Sequence, residues 1–72
     1  MLVERLGNTL RVERARRGLT QEALAELVGV TRKTINTVEN GRFIPSTVLA
    51  LKLARALEVP VATLFYLERT RA

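Results

Sequence analysis

The 72-residue sequence predicts an all-α domain, a compact bundle of five short helices. Three observations predict it. Apolar residues recur at spacings of three and four, and alternation of apolar with polar residues never persists. Gly18, Gly29, Asn40-Gly41 and Pro60 punctuate the chain as helix stops and breaks. Thr20, Thr31 and Ser46 stand just ahead of three of the segments so marked off, where a hydroxyl caps the free amides of a first helical turn.

The first helix is expected from about Leu2 to Arg17. Leu2, Leu6 and Leu10 fall four apart with Val3 beside them, and Gly18 follows in the position that ends a helix. Arg16 and Arg17 suit the negative end of its dipole. The second runs from about Gln21 to Val28, with Ala23, Leu24, Leu27 and Val28 as its buried face and Gly29 as its stop. The third runs from about Arg32 to Glu39, with Ile35 and Val38 inward. Arg42 to Pro45 is a loop. Ser46 begins a fourth helix, about Thr47 to Leu57, whose inward face is Ala50, Leu53, Ala54 and Leu57. A short last helix is expected from about Val61 to Leu67, carrying Val61, Leu64 and Phe65. The chain is expected to be one domain over residues 1–72, with a short tail at 68–72.

Composition narrows the chemistry. The sequence has no Cys, His or Asp, which removes disulfides, the usual zinc sites and the commonest general base. A chain with this side-chain set is not expected to be an enzyme, and no cofactor or metal is expected. Twelve Lys and Arg against seven Glu give a net charge of +5, and ten of the twelve are Arg. That surplus favours a polyanionic partner, nucleic acid or an anionic membrane surface, although a solubilising surface charge gives the same count. A membrane surface is disfavoured because the cations are spread over several helices. The N-terminus reaches Glu4 and Arg5 before a signal-peptide core can form, and Lys52, Arg55, Glu58 and Pro60 break the most apolar stretch. A cytoplasmic, nucleoid-associated protein is the expectation.

The informative segment is Thr20 to Gly41. Two short helices are joined by Gly29-Val30-Thr31, and so short a glycine link forces a steep crossing, the helix-turn-helix geometry. Ala25 is small enough for close approach, Gly29 tolerates a left-handed φ, and Val30 plugs the turn. With Ile35 and Val38 inward, the outward face of the third helix holds Arg32, Lys33, Asn36 and Thr37. Arg and Lys donate to guanine O6 and N7, and Asn pairs with adenine through two hydrogen bonds. From the residues alone, a solvated polar face on an ordinary helical hairpin is the competing reading.

The run from Gly18 to Gly41, GLTQEALAELVGVTRKTINTVENG, resembles the phage-repressor/Cro family of helix-turn-helix transcriptional regulators, also called the xenobiotic response element family. Arg42 to Ser46 and the helix that follows continue the likeness, which covers roughly Leu10 to Phe65. It most resembles the short, single-domain members. The resemblance implies a lambda-repressor-like fold and a sequence-specific regulator of double-stranded DNA, a repressor acting as a homodimer. It implies that Arg32, Lys33, Asn36 and Thr37 reach base edges. It implies that Gln21, Thr31, Thr34, Asn40 and Arg42 touch the DNA backbone, positioning the protein without reading sequence. It also implies a partly buried ion pair between Arg14 and Glu39. Two residues depart from the family pattern: Glu13 stands where Leu is frequent, and Pro60 where a Ser-like cap begins the last helix.

Spare apolar residues suggest where a dimer forms. Val48 and Leu51 lie off the inward face of the fourth helix, Ile44 is apolar in a loop, and Tyr66 and Leu67 lie across the last helix from Leu64. Together they are the expected interface between two copies. The alternative is that the same patch takes a cognate protein such as a toxin, which would make the chain an antitoxin or interaction module.

Overall fold

The computed structural model describes residues 2–71. Strand β1 (Leu2–Asn8) is followed by helices α1 (Leu10–Arg16), α2 (Gln21–Val28), α3 (Arg32–Glu39), α4 (Thr47–Leu57) and α5 (Val61–Leu64), and the chain closes with strand β2 (Phe65–Arg71). The fold has the five expected helices. It is not all-α, because the two ends pair as an antiparallel ribbon from Leu2 against Arg71 to Asn8 against Phe65.

The three middle helices begin and end where cap chemistry puts them. Thr20 and Thr31 accept from the backbone N–H three residues on, at 3.0 Å and 3.3 Å, and Ser46 does the same for Leu49 at 3.1 Å. Gly29 ends α2 with φ +76°. Glu58 ends α4 with φ +55°, an uncommon conformation for a residue with a Cβ, and its carboxylate meets Arg17 at 2.6 Å.

The core is a single cluster of Leu10, Leu24, Ala25, Val28, Ile35, Val38, Leu53, Ala54, Leu57 and Leu64. Five helices thus each contribute buried side chains, and Val30 packs on the cluster's edge from the turn. In α2 the inward arc is Leu24, Ala25 and Val28. Leu27, expected inside, is exposed. Val61 is exposed as well, and Ala50 is half-buried.

The expected first helix, Leu2 to Arg17, is therefore corrected to a strand and a seven-residue helix. Gly7-Asn8-Thr9 is the break. The Asn8 Oδ1 accepts from the Leu10 N–H at 3.0 Å, starting α1, while its Nδ2 donates to the Val38 carbonyl at 3.0 Å. The last helix is likewise corrected: it stops at Leu64, because Thr9 N–H takes the Leu64 carbonyl at 2.9 Å and the Thr9 hydroxyl the Thr63 carbonyl at 2.8 Å. The helix end and the strand start are stapled together by a residue from the far end of the chain. The expected tail at 68–72 is strand through Arg71, with Ala72 outside the described residues. In the ribbon the Tyr66 ring fills the space a side chain at position 7 would need, since a Cβ on Gly7 would stand 2.5 Å from Tyr66 Cε2.

Candidate nucleic-acid interface

Helices α2 and α3 meet across Gly29, Val30 and Thr31. The Gly29 and Val30 amides both turn back onto α2, Val30 N–H reaching the Ala25 carbonyl at 3.0 Å. The fold-back ends α2 and leads into α3, whose Ile35 and Val38 are fully inward. Arg32 and Lys33 then stand exposed on the first turn of α3. Asn36 and Thr37, one turn on, are half-buried. The Thr37 hydroxyl donates within the helix, 2.9 Å from the Thr34 carbonyl and 3.0 Å from that of Lys33, so what it offers outward is its methyl and its oxygen lone pairs. Thr31 and Thr34 share a hydroxyl–hydroxyl bond of 3.2 Å. Among the expected backbone-contacting residues, Thr31, Asn40 and Arg42 are exposed, and Gln21 and Thr34 are half-buried.

The back of α3 is held by charge. The Glu39 carboxylate is fully buried, and Arg14 from α1 reaches both of its oxygens, Nε to Oε2 at 2.6 Å and Nη2 to Oε1 at 3.3 Å. This two-point grip is the strong form of the interaction. The third Arg14 nitrogen donates to the Leu19 carbonyl at 2.8 Å, which also ties down the link before α2. Gln21 Nε2 donates to Glu39 Oε1 at 3.1 Å, and Arg11 Nε approaches the same oxygen at 3.5 Å. Burial pushes the Glu39 carboxyl pKa up. Hydrogen bonds from Arg14 and Gln21, the Arg14 charge and the Arg11 contact together outweigh it, and the net position is below the ordinary value.

Arg11 was not singled out in the sequence, yet it joins this site: its Nη2 also donates to Asn40 Oδ1 at 3.1 Å. The signal for it was present. Arg11 and Arg14 are three apart, so both lie on one face of α1.

The apolar residues expected at an interface divide. Ile44, Leu51, Leu6, Val61 and Phe65 line one shallow groove of about 270 Å³. Leu67 pairs with Leu6 across the ribbon and so shares its face. Tyr66 lies on the opposite face, over Gly7, which separates it from Leu67; their expected placement on one side of a last helix is corrected by the strand. Val48 borders a second depression with Leu51, Lys52 and Arg55.

Two short helices on a glycine turn, the second buried on one side and cationic and polar on the other, make a helix-turn-helix DNA-binding domain. Residues 5–65 match the family model described as a helix-turn-helix domain, and the chain belongs to this family of transcriptional regulators. It is a DNA-binding regulator and not an enzyme. It is similar to YgzD, an uncharacterized HTH-type transcriptional regulator of Bacillus subtilis, with 44% identity over 61 residues, 85% of this chain and 92% of that protein. It is also similar to the HTH-type transcriptional repressor RghR of the same organism, with 40% identity over 65 residues, 89% of this chain and 48% of that protein. Among solved structures, the restriction-modification controller protein C.AhdI from Aeromonas hydrophila superposes with a TM-score of 0.71 at 42% identity, covering 75% of this chain and 82% of the other. Among the described residues, no helix is long and apolar enough to cross a membrane.

Proposed function

We propose that this regulator is a homodimeric repressor that reads base edges in the major groove with α3. The observation that carries the proposal is the two-sidedness of α3: Ile35 and Val38 seat it in the core while Arg32 and Lys33 extend freely from its first turn, beside Asn36 and Thr37. In this reading Gln21, Thr31, Thr34, Asn40 and Arg42 contact the DNA backbone. Repression is the activity named for the relative RghR, and a domain seated in a groove blocks access to the same DNA. The protein works on the nucleoid.

One α3 covers only a few base pairs, and two copies bound to two half-sites multiply affinity and specificity. The second copy seats on the apolar surface that runs from Ile44 and Leu51 to Leu67, with Val48 at its border. Ile44 is 75% and Leu67 68% exposed, high values for large apolar side chains. Tyr66, on the opposite face of the ribbon, is left out of this surface.

The test is fluorescence anisotropy on DNA upstream of the protein's own gene and on random duplex, across a salt series. Arg32→Ala and Lys33→Ala are expected to cost about 1–3 kcal/mol on the specific site and little on random DNA, and Arg42→Ala to weaken both alike. Equal losses on both DNAs for all three variants would refute base reading by α3. Light scattering at tens of micromolar tests the dimer, and Leu51→Glu should yield monomers. A wild-type monomer would refute self-association and point to a different protein, such as a toxin, as the occupant of that surface.

A further inference from the structure

We propose that Arg11, a residue of α1, acts with Asn40, Gln21 and Glu39 to fix the amide orientation of Asn36, and thereby sets which base that side chain accepts. The inference rests on α3 being the reading helix.

Five side chains form a closed ring of hydrogen bonds. Arg11 Nη2 donates to Asn40 Oδ1 at 3.1 Å. Asn40 Nδ2 donates to Asn36 Oδ1 at 3.1 Å and to the Asn36 carbonyl at 2.9 Å. Asn36 Nδ2 donates to Gln21 Oε1 at 3.5 Å, and Gln21 Nε2 to Glu39 Oε1 at 3.1 Å. Arg11 Nε, 3.5 Å from the same Glu39 oxygen, closes the ring.

The chemistry of the two ends gives the ring a direction. A guanidinium only donates, and an ionised carboxylate only accepts. An amide does both, so each of the three amides between them has two orientations that differ by exchange of O and N. Only one combination satisfies every link. A reversed Gln21 would set its oxygen against the Glu39 carboxylate. A reversed Asn40 would set its NH2 against the Arg11 guanidinium. With those two fixed, Asn36 must turn its nitrogen to Gln21 and its oxygen to Asn40. Glu39 holds its end of the ring because its pKa lies below the ordinary value, so it stays an acceptor at neutral pH.

Asn36 keeps one further N–H and one further lone pair, in a fixed order along α3. That order complements adenine, which presents an acceptor at N7 beside a donor at N6, and not guanine, which presents two acceptors. Arg11 need not touch the base to choose it. It selects the orientation from the far side of the ring.

The experiment measures discrimination, not affinity alone. A tight-binding duplex is selected from random sequence by the wild-type protein, and all four bases are placed in turn at each position of the half-site. Asn36→Ala is expected to erase the preference at one position, by between about 5-fold and 150-fold. Arg11→Met is expected to reduce the preference at that same position by roughly 2-fold to 30-fold and leave the others intact. Arg11→Lys, which also only donates, should restore part of it. A uniform loss with Arg11→Met across all bases, with a shallower salt slope, would make Arg11 a phosphate contact and overturn the inference. If Asn36→Ala leaves every preference intact, the inference falls, while the Arg32 and Lys33 variants still decide separately whether α3 reads bases.

Discussion

Arg14→Ala is the perturbation whose cost the structure specifies best. Removing one partner of a buried ion pair costs about 3–5 kcal/mol, because the remaining charge stays behind in the interior. The lower end applies here. Glu39 keeps the Gln21 amide at 3.1 Å and the Arg11 guanidinium at 3.5 Å, so its charge is not wholly orphaned. The Leu19 carbonyl also loses its 2.8 Å donor. A loss of about 3 kcal/mol is large for a 72-residue domain, whose whole stability is of order 4–11 kcal/mol. At roughly 4–8 °C per kcal/mol, the melting temperature should fall by about 12–24 °C, read by circular dichroism at neutral pH.

The pH dependence has a definite sign. Glu39 has a depressed pKa in the folded state, so its contribution is complete above the ordinary carboxylate value of 4.5 and is lost as pH falls through the lower, folded value. The gap between wild type and Arg14→Ala should therefore narrow on going from neutrality to about pH 3. Arg14→Met combined with Glu39→Leu should regain most of the lost stability, since a well-packed apolar pair substitutes for a buried ion pair at little net cost. A melting temperature for Arg14→Ala within about 4 °C of wild type would refute this account and reduce the pair to surface strength.

Further variants test the turn and the ribbon. Gly29→Val places a β-branched residue at φ +76°, where a Cβ meets no atom within 4 Å, and the backbone strain alone should cost about 1–2 kcal/mol. Gly29→Asn should cost less, and an unchanged melting temperature for the valine variant would mean the left-handed turn is wrong. Asn8→Ala removes both the start of α1 and the bond to the Val38 carbonyl, and urea titration should show a loss of about 1–3 kcal/mol. A loss below about 0.5 kcal/mol would mean that the junction between ribbon and helices is not held by this side chain.

The middle of the fold was legible in the sequence because its signals are local. Helices α2, α3 and α4 have the expected limits, each begun by a hydroxyl cap a few atoms away in the chain. The ends were not legible, for a physical reason. Leu2, Leu6 and Leu10 are four apart, a spacing that lies near one helical turn and is also a whole multiple of the strand period. Leu64-Phe65-Tyr66-Leu67 is continuous apolar sequence, which fits a strand as readily as a helix. Each strand exists only against the other, and nothing in Leu2–Asn8 announces a partner at Phe65–Arg71. Leu27 was misplaced because α2 has more apolar residues than inward positions. The small Ala25 takes an inner place beside Leu24 and Val28. At the site, the outward face of α3 followed from Ile35 and Val38, but the commitments of Asn36 and Thr37 did not. Those depend on Gln21 from another helix and on the local fold of α3 itself.

If α3 reads bases as proposed, Glu39 connects stability to recognition. One carboxylate anchors α3 to α1 through Arg14 and also accepts from Gln21, which in turn orients Asn36. Any variant that weakens Glu39 should therefore lower stability and change reading together, and an affinity measurement alone confounds the two. They separate by their dependence on sequence. If part of the population is unfolded, the apparent Kd rises by one factor, the reciprocal of the folded fraction, for every DNA alike. A turned amide changes the ratio between adenine and guanine at one position and leaves the other ratios fixed. Specificity ratios measured well below the melting temperature thus isolate the recognition role of the ring, and a Glu39→Gln variant that melts early but keeps wild-type ratios would show that the carboxylate serves the fold alone.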